Sequence, residues 1–372
     1  MKLNISKLRV NSGDRNSSIE LLRIIIMHGV IILHYNNGEI GGALLHANPG
    51  SINWFYLFFS ENLFICAVDL FIMISAYYLT DSQNRKTIKV VELIIQVIVF
   101  REAFYVMSTL LNKEPLSLKE FLINLLPVNY FVILYGVLYI ISPYINILLD
   151  HLSRDALKKF LVVVLLLFSV WPVTVDIIET LYDNQLNGLS SIGLYGNQSG
   201  YTIVNFIVVY LVGAYIRKNE HRESPIKLVG MVTALVGMMT FISMYEYSHI
   251  GKVIIWHYDN PFVILVSAMI LLLFLQIDFK NKIINELAKG CFTCFLFHTP
   301  FVYHLNTEKA ATSTIFYLIV HQFSVAIVLF MVSYIIYKIY AFCTKGLIKI
   351  ITPLCDLSLI HISEPTRHAQ IS

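Results

Sequence analysis

Arg23 and His34 stand eleven positions apart in the first strongly apolar stretch of the chain, IELLRIIIMHGVIILHY. An α-helix turns ~100° and rises ~1.5 Å per residue, so both side chains point the same way, within ~20°, about 16 Å apart along the axis. Both are costly in hydrocarbon, and ionisable groups inside a membrane span mark functional positions by default. One helix would thus present a fixed cation near one membrane face and a titratable imidazole much deeper. The competing reading, in which Arg23 snorkels to the headgroups and His34 anchors the opposite interface, needs two separate accidents to align on one face. His28, about 140° round the helix from Arg23, reads instead as a packing or hydrogen-bonding histidine.

Asp69, in ENLFICAVDLFIMISAYYL, is the second candidate. An unpaired carboxylate at mid-span costs ~2.5–3.5 kcal/mol, so a partner is expected, with His34 or Arg23 on the neighbouring helix the natural choice. An Asp beside the imidazole would orient the ring and favour its protonated form, as the acid of a catalytic triad does. A structural Asp–Arg pair fastening two helices is the alternative. Arg85, Lys86 and Lys89 follow at the start of the third span. Such a cluster suits the phosphates of a nucleotide-bearing substrate, and it is also what membrane topology alone demands. Arg101, deeper in that span, is expected to pair with Glu92, Glu102 or Asp69, or to line a polar cavity. His298, in FLFHTPFV, either lines the cavity or donates to carbonyls freed near Pro300. Glu61 either touches an external substrate or is solvated.

The elements that must carry these groups are membrane helices. The chain of 372 residues is 57% hydrophobic and 14% charged, with a mean hydropathy of +0.68, and its apolar runs are long enough to cross a bilayer. The expected fold is an all-α transmembrane bundle of about ten spans, near 18–36, 55–79, 88–111, 121–148, 159–177, 201–217, 227–245, 261–277, 286–305 and 314–341. Ser17 and Glu20 have capping-box spacing, which starts the first helix there. The stretch after that span has no small-residue cleavage site, which excludes a signal peptide. Lys and Arg outside the spans alternate between loops, dense at the N-terminus, 85–86, 154–159, 217–227, 280–282 and 345–349 and sparse in the opposite set. The positive-inside rule then places both termini in the cytoplasm.

Several classes are excluded by what the sequence omits. No basic, aromatic-interleaved soluble segment exists, so nucleic acid is not an expected partner. No G-x-S-x-G, Walker A, HExxH or paired Cys/His metal set occurs, which removes support for hydrolase, ATPase and zinc chemistry and predicts no metal. Cys291 and Cys294 form a C-x-x-C without a second ligand pair and read as small packing residues. The organisation is one integral-membrane domain, residues 1–356. The tail LSLIHISEPTR is similar to the translation of a transposase adapter used in sequencing-library preparation, so residues 357–372 are expected to be non-native.

These motifs resemble the acyltransferase 3 family of bacterial membrane O-acyltransferases. That family opens with an apolar helix bearing R-x10-H, here Arg23 to His34, and continues with a V-D-L-F-F-x-x-S-G-like segment, here Val68-Asp69-Leu70-Phe71-Ile72-Met73-Ile74-Ser75-Ala76. YFVILYGVLYIISPYIN, FIVVYLVGAYIRK and ELAKGCFTCFLFHTPFV share its texture, and the similarity covers residues 17–343. Ala76 departs from the family's glycine. Arg85 and Lys86 meet the family's basic loop motif only loosely. The resemblance implies transfer of an acyl group, usually acetyl, from cytoplasmic acyl-CoA to a hydroxyl of a cell-surface or exported polysaccharide or its lipid-linked precursor, in the bacterial cell membrane. It implies no permanently bound cofactor, with acetyl-CoA or another acyl-CoA as donor. Under it, His34 is general base on the acceptor hydroxyl, Asp69 orients it, and Arg23, Arg85 and Lys86 hold the donor. Transient acylation of His34 is a variant of the same chemistry. Intramembrane Arg, His and Asp also mark the pathways of secondary transporters and lipid-linked oligosaccharide flippases, and a polysaccharide polymerase is a third reading.

Overall fold

The computed structural model describes residues 16–82, 86–219 and 223–355. Arg85, the N-terminal cations, Arg222 and the tail 357–372 lie outside the described residues. Those described are helical, joined by turns and loops, with no strand among them.

Helix α1 (Ser17–Asn36) starts where the hydropathy places it, but its cap is Asn16, whose side chain accepts from the Ser18 amide at 3.0 Å. The expected Ser17–Glu20 box does not form, because Ser17 is used elsewhere: its Oγ accepts from the Asn281 amide at 2.7 Å. Ser18 donates to the Phe274 carbonyl at 2.6 Å. Two hydroxyls thus pin the start of α1 to segments more than 250 positions away. A short α2 (Ala43–His46) follows.

The expected span 55–79 is two helices, α3 (Ile52–Phe64) and α4 (Ala67–Leu79), broken at Ile65 and Cys66. Helix α5 (Ile88–Asn112) comes next. The stretch read as one span at 121–148 is a short α6 (Leu118–Asn124) and α7 (Tyr130–Asp150), parted around Pro127. Proline removes an amide donor and disfavours helix in the residue before it. Then come α8 (Arg154–Leu165) and α9 (Trp171–Tyr182), continuous through a π turn at Leu166–Val170. Helices α10 (Ile203–Lys218), α11 (Pro225–His249) and α12 (Pro261–Leu275) follow. Last are α13 (Lys282–Leu287), α14 (Cys291–Tyr303), α15 (Glu308–Thr312) and α16 (Ile315–Cys355).

Among the described residues, seven helical stretches are long and apolar enough to cross a membrane. The other three expected segments are the helices α5, α10 and α14; α10 has 16 residues and α14 has 13.

Helix α1 lies inside the bundle, packed by α3, α4, α12, α13, α14 and α16. Met27, Ile31 and Ile32 on it are 1% exposed or less. A helix apolar on every side belongs in such a position, and it puts the Arg23–His34 face against protein rather than lipid. Close approach depends on two glycines. A Cβ on Gly29 would sit 2.3 Å from the Phe64 ring, and one on Gly213 would sit 2.7 Å from the Ala76 Cβ and from the Met73 carbonyl. The α4–α10 contact therefore keeps its closeness despite Ala76, because Gly213 supplies the missing volume on the facing helix.

Candidate active site

Two cavities meet at the middle of α1. The first, of about 540 Å3, opens beside Arg23 and is lined also by Lys89, Gln96, Tyr135, Tyr139 and Lys289. The second, of about 600 Å3, opens beside His34. Val30, Val68 and Phe295 line both, and so form the wall between them. Helix α1 is unbroken from Ser17 to Asn36, so its rise of ~1.5 Å per residue holds the guanidinium's attachment point about 16 Å from the imidazole's.

His34 reaches across to α14. Its Nδ1 lies 2.6 Å from Nε2 of His298, and the two rings lie within 10° of parallel with centroids 4.7 Å apart. His298 in turn places its Nδ1 2.8 Å from the Cys294 carbonyl. A carbonyl oxygen only accepts, so Nδ1 of His298 carries the hydrogen. With both rings neutral, His298 then offers a lone pair at Nε2, and His34 must donate from Nδ1. The remaining nitrogen of His34, Nε2, is left unprotonated, which is the form a general base requires. Thr299 Oγ1 stands 3.4 Å from His34 Nδ1, at the margin of hydrogen bonding.

Asp69 is not the partner of His34 or of Arg23. The carboxyl group is fully buried; the groups around it are Asn205 of α10 and Asp259 of the loop before α12. The physical reason is the break at Ile65–Cys66. It makes Asp69 a first-turn residue of α4, where the helix N-terminus is the positive end of the macrodipole. A helix end thus stands where an ion-pair partner was expected. Asp259 is itself fixed, its carboxylate accepting from Asn197 at 2.6 Å and its carbonyl from Ser169 at 2.6 Å.

Arg23 lies 3.8 Å from Glu20, one turn away, and a third of its side chain is exposed in the first cavity. Lys86 is exposed, with its carbonyl accepting from Tyr139 at 3.3 Å, and it does not line that cavity. Lys89, from the same basic cluster, does, and so does Lys289 of ELAKG. Lys289 also contacts Glu286 at 2.6 Å.

In the second cavity Glu61 is buried, not solvated, and accepts from Asn36 at 2.9 Å. Arg101 lines this cavity too and donates to Asn124 at 3.0 Å; it pairs with none of the expected carboxylates. Tyr130, Tyr201, Trp256 and Tyr258 form much of the wall. His257 donates to Asp176 at 2.9 Å, a His–Asp pair on the rim. Trp256, His257 and Tyr258 come from the aromatic segment VIIWHYDN, which the sequence reading passed over; Asp176, the partner of His257, is 81 positions away and was not legible. His28 is the packing histidine expected, with Nδ1 at 2.8 Å from the Ile24 carbonyl and its ring against Phe330. The five cysteines are free thiols.

The site is thus an imidazole held by His298 at the edge of the second of two cavities in a helical membrane protein. The acyltransferase 3 family, characterised by an acyltransferase domain, matches residues 16–338. The chain belongs to that family and is a membrane acyltransferase. No curated protein matches it, and no solved structure does.

Proposed function

We propose that the protein moves an acyl group, acetyl in the first instance, from cytoplasmic acyl-CoA to a hydroxyl of a cell-surface or exported polysaccharide or its lipid-linked precursor, in a bacterial cell membrane crossed about ten times with both termini cytoplasmic. The observation that carries the reading is the back-to-back pair of cavities, one beside Arg23 and one beside His34, divided only by Val30, Val68 and Phe295.

The donor enters the first cavity, where Arg23, Lys89 and Lys289 face its phosphates. Charge-assisted contacts of this kind are the strong ones. The thioester, on its extended arm, reaches the dividing wall. The acceptor occupies the second cavity, where Tyr and Trp faces suit a sugar ring, apolar on one side and hydroxylated at its edge. His34 Nε2 takes the proton of the acceptor hydroxyl as its oxygen attacks the thioester carbonyl. The new C–O bond forms, the C–S bond breaks, and the proton passes to the departing CoA sulfur. His298 is the positioning residue, holding the tautomer through Cys294. Asp69 braces the α4–α10 side and takes no proton.

Purified protein in lipid, given labelled acetyl-CoA and a polysaccharide acceptor, should place label covalently on the glycan. His34→Ala should abolish this while leaving membrane insertion intact; full activity in that variant refutes the assignment. Two end-to-end cavities also suit a carrier of lipid-linked oligosaccharide, for which the glycan would move without acquiring label.

A further inference from the structure

The second cavity holds a cation that the chemistry at His34 does not use. Arg101 sits 13 residues from the start of α5 and 11 from its end, or about 20 and 16 Å from each. Arg101 is among the residues that line the cavity. One terminal nitrogen is held by Asn124 of α6 and Nε has no partner. No ion pair to it exists among the described residues. The other charged groups of the cavity are already engaged: Glu61 accepts from Asn36, and His257 is matched by Asp176. A guanidinium in a low-dielectric chamber without a carboxylate is costly until an anion reaches it, and its planar fork fits carboxylate or phosphate in two parallel bonds.

The geometry points to an anion subsite at Arg101, so that the acceptor is an acidic glycan, bearing a carboxylate or a phosphate a short way from the hydroxyl that is acylated. This rests on the acyltransferase reading, and names its substrate class.

The test compares three acceptors: a short oligosaccharide containing a uronic acid, the same compound with that acid reduced to its alcohol, and the reduced compound attached to a polyprenyl diphosphate. Wild-type kcat/KM should favour one anionic acceptor over the neutral one by about 10- to 100-fold, the scale of a charge-assisted hydrogen bond. Preference for the first places the charge on the sugar, and for the third on the lipid carrier. In Arg101→Gln the anionic-to-neutral ratio should fall to near one, with Arg101→Lys between. Equal losses on all acceptors, or no charge preference in wild type, overturn the inference while leaving acyl transfer standing. Direct binding of the uronic-acid oligosaccharide and of the polyprenyl diphosphate compound to wild type and Arg101→Gln is the second readout. It decides the subsite even if wild type acylates nothing, a result that would sink the acyltransferase reading instead; equal affinity of the two proteins for both anionic compounds overturns the subsite.

Discussion

His298→Ala removes the acceptor that receives the His34 Nδ1 hydrogen at 2.6 Å and leaves that N–H inside the protein without its partner. An orphaned buried donor costs ~1–3 kcal/mol. The ring can escape that cost by flipping or by moving its proton to Nε2, and either change removes the lone pair from the acceptor hydroxyl. Converted at 1.36 kcal/mol per decade, the penalty becomes a loss of about 5- to 150-fold in kcat. KM for acyl-CoA should stay within about twofold, because His298 does not line the donor cavity. His298→Gln places an amide oxygen near the former Nε2 and should recover a substantial part of the rate, whereas a merely space-filling role would give Gln no such advantage. Initial rates with labelled acetyl-CoA, on protein shown to be monodisperse and equally thermostable, supply the comparison. Wild-type kcat in His298→Ala would falsify the tautomer argument. So would a Gln variant no better than Ala.

The remaining predictions concern the donor cavity and the packing that holds the site. Lys89→Ala combined with Lys289→Ala should raise KM for acyl-CoA by about tenfold or more, from the loss of two charge-assisted contacts, with kcat little changed; a kcat effect alone contradicts the donor assignment. Gly213→Ala forces a methyl to within 2.7 Å of Ala76 and the Met73 carbonyl and should cost ~1–3 kcal/mol as overpacking, read as a lower midpoint in thermal unfolding. Gly237→Ala, where a Cβ meets nothing within 4 Å, should stabilise α11 by ~0.5–1 kcal/mol. If the two glycines respond alike, the close α4–α10 approach is not what Gly213 supplies.

How far the sequence could be read follows from the range of each interaction. Hydropathy and local capping act within a few turns, which is why α1, α5 and α12 fall where the apolar runs put them. The cap itself was misjudged because Ser17 serves Asn281, 264 positions on. His34 was legible through its eleven-residue spacing from Arg23, but its partner was not, since His298 lies on another helix 264 positions away. His298 could be singled out as a polar group in an apolar run, but neither reading of it holds as stated: it lines neither cavity, and it serves one carbonyl with one nitrogen and His34 with the other. That carbonyl is Cys294's, one turn back on its own helix, so Pro300 was not its cause. Asp69 was correctly marked as needing an explanation. The break at Ile65–Cys66 that supplies one carries no glycine or proline, the residues that announce a break in sequence. Lys289 was not singled out, because nothing local to ELAKG marks a lysine there as bordering a cavity.

The central claim is that donor and acceptor approach one imidazole from opposite sides of the membrane. Vesicles holding the protein in a single orientation, with labelled acetyl-CoA confined to the Arg23 face and the glycan to the His34 face, test it most directly. Covalent label on the glycan across the sealed bilayer, absent with the two reagents exchanged and absent in His34→Ala, is the predicted result. Label appearing only when both substrates share one compartment would contradict it.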